Sequence, residues 1–359
     1  MKIIYIAETS LSNKSAYTLH VLKMCDALSK QSEVELILPY INSNFKLNEI
    51  KKNFLLTSKK KFIVKTILKY KIKNFLKRIH FGYKSAKYIK KTNSKIILTR
   101  SIISSFFLCI FKVKHFLEIH NELIGLTKFL MINLNFINSN YIIKTILISK
   151  ALNKHFPSIK KNKILVLHDA VDVKNFKPKK KNFKIRNFAY VGSFYKGKGI
   201  ELIYKLAEKY KKFKFNIYGD PQGNIKNIPS NVKIHGYINY KKVPNILIKS
   251  DILLLPNADK QFGRGNINIT NYNSPLKMFD YLASGKIIVS SKRDGICEIL
   301  KHNYNSIIVN KYDLDCWIYE IDKIMSKKYD LIKLRKNSLK TAKKYTWDKR
   351  VDRILKEII

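Results

Sequence analysis

Only 25 of the 359 residues are acidic, against 71 lysines and arginines, which leaves a formal charge of +46. An imbalance of that size excludes an acidic or neutral surface and, taken alone, suggests an anionic partner. Cysteine is scarce too: Cys25, Cys109, Cys297 and Cys316 lie far apart, and none forms a Cys-x-x-Cys pair. That spacing argues against a disulfide frame and a cysteine zinc site, and it fits a reducing cytosol. Long apolar runs are missing. The longest, residues 102–111, is about half of what a membrane span requires. The opening MKIIYIAETS, cut by Glu8, reads as a first strand and is too short for a signal peptide. Also absent are the Walker A ending GK[ST], the dinucleotide fingerprint GxGxxG and the nucleophile elbow GxSxG. A soluble cytoplasmic chain is therefore expected.

The basic charge is distributed unevenly. Lysine, isoleucine and asparagine are all heavily used, as an A+T-rich genome brings about, so the sum alone does not measure function. Residues 51–95, however, hold 16 of the 71 Lys/Arg and no Asp or Glu. From Lys61 through Lys65, Lys69 and Lys73 to Lys77, lysine recurs every fourth residue. Val64, Ile67, Leu68, Ile72, Phe75, Leu76 and Ile79 keep helical spacing beside it. The pattern predicts a basic amphipathic helix resting on an anionic membrane surface. The competing reading packs the apolar stripe on the first domain's sheet, with the lysines in water.

A composition that is 46% hydrophobic and 27% charged is that of a globular protein, and 359 residues exceed what one core usually serves. Short apolar runs alternate with helical patterns almost throughout. KIIYIAE, VELILPY, KIILTR, HFLEIH, TILIS and ILVLHD supply strands for a first domain. FAYVG, KFNIYG, VKIHGYI, DILLLPN, KIIVSS and NSIIVN supply a second. Strands apolar on both faces belong in parallel sheets covered by helices, so two doubly wound α/β domains are expected. The lysine-rich residues 175–187 read as the linker, and the chain from Asp313 onward as helical. The boundaries drawn are 1–174, 175–340 and a terminal helix, 341–359, crossing back to the first domain.

Ligands of open α/β sheets bind beyond the carboxyl ends of the strands. That rule selects the loop from Glu8 to Tyr17, the one after His120, VGSFYKGKGI, the YGDPQG turn and the approach to SPLKMFDYLASGKIIVSS. Gly192, Gly197 and Gly199 permit close backbone approach, and Lys196 and Lys198 can neutralise a phosphate there; a solvated lysine pair is the alternative. His120, at a strand's carboxyl end, suits a substrate hydroxyl or phosphate, or is a satisfied structural histidine. His115 and His120 lie five apart with no third ligand in sight, so no zinc site is read. The Asp313–Asp315 triplet DLD matches a metal-holding pattern, but capping of the following helix by Asp313 is the better account. In the last stretch Ser274 is the expected N-cap, Pro275 the first helical residue and Gly285 the stop. Asp280 then points inward between Leu276 and Ala283. It is either bonded to a neighbouring loop or accepts two hydrogen bonds from a polyol.

In their order, these pieces resemble the retaining GT-B glycosyltransferases of family 4. AYTLHVLKMCDALSK, LEIHNE, LISKALNKHF, VLHDAVDVKNFKP, YVGSFYKGKGIELI, NIYGD, KIHGYI, SDILLLP, SPLKMFDYLASGKIIVSS and YTWDKRVDRIL carry the resemblance over nearly the whole chain. It implies two Rossmann-like domains facing across a cleft, the first binding the acceptor and the second a nucleotide-sugar donor. Asp280 stands where the family has a carboxylate, usually Glu, that grips the ribose hydroxyls. Lys198 matches the lysine on the donor diphosphate. Backbone amides around Leu276 and Lys277, after Ser274 and Pro275, match the phosphate-facing helix start, and His120 matches the histidine at the reaction centre. Three positions depart. The arginine after the turn glycine, Gly192, is Ser193, with Lys196 as a substitute. The earlier glutamate of the paired motif aligns with Tyr272. SNKSAY replaces the glycine-rich first loop, its Ser15 and Ala16 amides doing similar work.

The implied activity is transfer of a sugar, with retention, to a glycan or lipid-linked acceptor in bacterial surface polysaccharide or lipopolysaccharide synthesis. A front-face substitution would need neither a metal nor another cofactor. The site of action is the cytoplasm, with peripheral attachment to the inner membrane face. Two rivals remain: a basic nucleic-acid-binding protein, which leaves Asp280 unexplained so that no nucleic acid is expected, and a nucleotide-sugar isomerase on the same fold.

Overall fold

The computed structural model describes residues 2–11, 15–41, 46–60, 62–72, 74–92, 94, 96–178, 184–221, 227–263 and 267–358. Residues 12–14 of the first loop, Lys61, Lys73, residues 179–183 of the expected linker, and Gln222 and Gly223 of the YGDPQG turn lie outside them. The chain folds into two compact units, Met1–His168 with Trp347–Ile359, and Asp169–Thr346. It thus passes between units at 168 and 346, where the sequence pattern placed the boundaries after 174 and 340.

The first unit runs β1 (Lys2–Ile6), α1 (Ala16–Ser29), β2 (Glu33–Leu38), α2 (Leu47–Phe54), β3 (Ile63–Thr66), α3 (Phe75–Lys90), β4 (Ile96–Thr99), α4 (Ile102–Ile110), β5 (His115–Ile119), α5 (Gly125–Lys128), β6 (Ile142–Leu147), α6 (Lys150–Asn153) and β7 (Ile164–Val166). Its sheet has the order β3-β2-β1-β4-β5-β6-β7, and every neighbouring pair is parallel. Helices cover both faces of such a sheet, which is why β4 and β5 are buried along their whole length. The strand order reverses between β1 and β4. Loops leaving those two strands diverge there and open a crevice.

The helix predicted over residues 61–79 does not form. Ile63–Thr66 is the edge strand β3, and α3 starts only at Phe75, where Asn74 accepts a hydrogen bond from the Lys77 amide at 3.1 Å. A four-residue edge strand with mostly exposed residues carries no alternation to read, so the lysine spacing imitated a helix. Leu68, Ile67 and Ile72 join the core, while Ile63 and Leu76 stay 67% and 73% exposed.

The second unit runs β8 (Asn187–Val191), α7 (Ile200–Lys209), β9 (Lys214–Tyr218), β10 (Val232–Ile234), α8 (Val243–Lys249), β11 (Ile252–Leu255), α9 (Leu276–Ser284), β12 (Ile287–Ser291), α10 (Asp294–Cys297), β13 (Ile307–Val309), α11 (Leu314–Met325) and α12 (Leu331–Ala342). The sheet order is β10-β9-β8-β11-β12-β13, again all parallel. Hydrophobic clusters lie on its two faces, one around Phe188, Leu254 and Trp317, the other around Leu253, Phe279 and Ile288. Here the order reverses between β8 and β11.

The terminal helix α13 (Trp347–Leu355) belongs to the first unit. It buries Trp347, Val351 and Ile354, and Asp348 and Asp352 pair with Lys30 and Gln31, just past α1, at 2.6 and 2.7 Å. Among the described residues no helix is long and apolar enough to cross a membrane.

Candidate functional site

In the first unit, polar side chains gather at the carboxyl ends of β1, β4 and β5. Glu118, next to the apolar Phe116, Leu117 and Ile119 of β5, is 2% exposed. Its Oε1 lies 2.9 Å from His20 Nε2, 2.8 Å from His120 Nε2 and 2.6 Å from an Arg350 guanidinium nitrogen, and the Tyr5 hydroxyl donates to Oε2 at 3.2 Å. Burial alone would raise this carboxyl. The charges on His20 and Arg350 and the hydrogen bonds outweigh it and hold Glu118 well below the ordinary carboxylate range. His120 is pushed down to about 3 by burial and then by the Arg100 charge, against the pull of Glu118. A neutral imidazole that donates from Nε2 keeps the Nδ1 lone pair as an acceptor.

Beside this cluster, Glu8 accepts hydrogen bonds from Arg78 Nε at 2.7 Å and from the Ser101 hydroxyl at 2.6 Å, and the Arg100 guanidinium lies 4.1 Å over the Tyr17 ring. Ser15 is the N-cap of α1, accepting from the Thr18 amide at 3.2 Å, and Ala16 is its exposed first residue. The remaining histidine of β5 is a core residue. His115 is fully buried between the Ser105 hydroxyl and the Val113 carbonyl, and burial lowers it to about 4.

In the second unit the loops after β8 and β11 meet at the reversal of strand order. Gly199 takes φ +77°, and a Cβ there would lie 1.8 Å from the Pro256 carbonyl oxygen, so only glycine lets the two loops approach. Lys198, one residue earlier, is 9% exposed and burial pushes it down to about 8. Lys196 is exposed. The start of α9 faces the same loop, because the Val191 amide donates to the Tyr281 hydroxyl at 2.9 Å and ties that helix to the end of β8. Lys277 places its Nζ 3.8 Å over the Tyr190 ring, and a Cβ on Gly192 would lie 2.4 Å from that nitrogen. The Lys277 stem is half-buried, but its Nζ is shut off from solvent with no hydrogen-bond acceptor among the described residues.

Ser274 is not the N-cap. Pro275, in extended conformation at φ −73° and ψ 132°, takes that place without a side-chain bond, and the helix starts at Leu276. Proline's ring and missing N–H make it as suitable for the cap as for the first turn, so the start moves by one residue. Gly285 closes the helix in the left-handed region. Asp280 is 6% exposed, and the Tyr240 hydroxyl donates to its Oδ1 at 2.9 Å. The loop partner and an inward position are both present. Tyr272, at the place of the earlier glutamate, is buried at 2% exposure. Asp313 caps α11 through the Cys316 amide at 2.8 Å.

The structure thus brings Gly192, Lys198 and Lys277 together in the second unit, and it leaves Lys196 outside the enclosed group. Glu118, His20, Arg350 and Tyr240 were not singled out from the sequence. A glutamate inside an apolar strand was the one available signal, of the same kind as Asp280 inside an apolar helix face.

Residues 171–345 match the family model for glycosyl transferases group 1. No curated protein sequence matches the chain. Among solved structures, a glycosyltransferase from Rickettsia africae aligns at TM-score 0.73 and 16% identity, covering 99% of this chain and 98% of that one. Anabaena Alr3699/HepE in complex with UDP aligns at 0.74 and 12%, covering 99% of each. The lipopolysaccharide outer core galactosyltransferase WaaB aligns at 0.71 and 16%, covering all of both. The architecture is that of the GT-B glycosyltransferases.

Proposed function

We propose that this chain is a retaining glycosyltransferase of family 4, moving a sugar from a nucleotide-sugar donor to a glycan or lipid-linked acceptor of a bacterial cell surface. One observation carries the donor assignment. A lysine that is 9% exposed and has no ion partner among the described residues sits at the reversal of strand order, beside the start of the nine-residue helix α9. Such a place favours an anion, since the helix start and the ammonium both offer positive potential in a poorly hydrated setting. Solved relatives of the same fold hold UDP or UDP-glucose, which supports a nucleoside diphosphate as that anion.

In the proposed reaction the bond from the anomeric carbon to the diphosphate breaks, and the acceptor oxygen bonds to the same face of that carbon. The acceptor proton passes to the departing phosphate. Lys198 and the α9 start stabilise charge on the diphosphate, Asp280 accepts from the ribose hydroxyls, and His120 is the polar group of the first unit nearest the chemistry by resemblance. The test is a thermal-shift screen against a panel of nucleotide sugars, followed by NMR of the product. Stabilisation by one donor and a product keeping its anomeric configuration are expected. No response to any nucleotide sugar would refute the donor assignment, and an inverted product would refute retention.

The acceptor side of the proposal includes peripheral attachment to an anionic membrane from the cytoplasm. Its support is the acid-free basic stretch of residues 51–95 together with the exposed Ile63 and Leu76.

A further inference from the structure

Lys277 is the group for which the donor site has no other use. Its neighbours are apolar or positive: the Tyr190 ring lies 3.8 Å below Nζ, Gly192 makes the room it occupies, and no acceptor reaches it among the described residues. Facing it from β8 is Tyr190, whose phenol burial pushes well up, so that it stays neutral. From the loop before α7 comes the Lys198 ammonium, the one charge acting on it among the described residues. On its own helix, Asp280 is bonded to Tyr240 on the chain leading into α8. The electron-rich ring face favours a cation. Loss of hydration without an acceptor and the repulsion from Lys198 both oppose one, and together they hold Lys277 well below the ordinary lysine range.

We propose that the Lys277 side chain is a second phosphate ligand of the donor site and takes up a proton as the diphosphate enters. This rests on the donor assignment above. Phosphate oxygens would supply the acceptors that Nζ lacks, and their charge would offset the repulsion between the two lysines. Ser193 offers no charge at the start of the turn after β8 and Lys196 is exposed, so beside the enclosed Lys198 a second enclosed amine at this turn comes from α9. The amine acquires its charge only when there is an anion to meet it.

Calorimetric titration with UDP, GDP and ADP at pH 8.5, in two buffers of different ionisation enthalpy, counts the protons exchanged per nucleotide bound. Uptake of between about one and two protons is expected, since Lys198, at about 8, is itself mostly neutral at this pH and adds to the uptake by Lys277. Lys277→Met should bind more weakly and lose most of that uptake, whereas Lys198→Met should weaken binding and keep part of it. Equal uptake by the native and Lys277→Met proteins, or nucleotide binding with no uptake, would overturn the inference and leave the donor assignment standing. Failure of every nucleotide to bind the native protein would overturn both.

Discussion

Replacing Asp280 with alanine removes a carboxylate that is 6% exposed and accepts from the Tyr240 hydroxyl at 2.9 Å. In an enclosed place like this, a hydrogen bond to a charged acceptor contributes about 1.5 to 3 kcal/mol. If the ribose diol makes such a bond, nucleotide affinity falls about 10- to 150-fold. The Tyr240 hydroxyl loses this acceptor, so thermal melts of Asp280→Ala and of Asp280→Asn, the shape-preserving control, separate an effect on folding from one on binding. The decisive assay is a ligand cycle by calorimetry, comparing a nucleoside diphosphate with its 2′,3′-dideoxy form on both proteins. Removing the diol should cost the native protein the full penalty and cost the alanine variant almost nothing, because the partner has gone. If the penalty is the same in both, Asp280 does not touch the ribose and its place on α9 serves the fold, Tyr240 included.

Turnover should survive EDTA, because Asp313 is committed to capping α11; activity lost on chelation and restored by Mn²⁺ or Mg²⁺ would reverse that assignment. Acid should destabilise the first unit through His115. A histidine kept neutral by burial adds stability above its unfolded value of 6.5, lost as the pH falls toward its folded value of about 4. The loss reaches about 3 kcal/mol only below pH 4, and about 2 kcal/mol of it falls between pH 7 and pH 5. Denaturant melts at pH 7 and pH 5 should show it, and His115→Asn should flatten the difference. The protein should float with anionic vesicles, not with zwitterionic ones, and leave them at high salt. Lys65, Lys69 and Lys77 changed together to Gln should abolish flotation, and a native protein that never floats would end the membrane reading.

Where the sequence was legible, one physical signal dominated: a run of apolar residues with no polar face can only be a strand covered on both sides. KIIYI and IILT have that character, and so do ILLL and the IIV of IIVSS, whereas EVELIL takes it up only from Leu36 onward. IVKT in β3 lacks it, because an edge strand has half its surface in water, and lysine periodicity then spoke for a helix. The two sites differ in the same way. Lys198 and Asp280 stand inside local motifs whose glycines and helix ends can be read from neighbouring residues. Glu118 meets its partners Tyr5 and Arg350 across 113 and 232 positions. Only the folded sheet and α13 bring those together.

The position of α13 also sets a timetable. A chain emerging from the ribosome can complete the second unit, Asp169–Thr346, while the first still lacks its last helix. Glu118 waits for an arginine 232 residues downstream, roughly 10 to 50 seconds at ordinary rates of synthesis. During that interval the nascent first unit holds Glu118 without the Arg350 charge, and the His20 ring on α1 lacks its Trp347 neighbour. A chain cut short before Trp347 would therefore hold a finished second unit and a first one without α13.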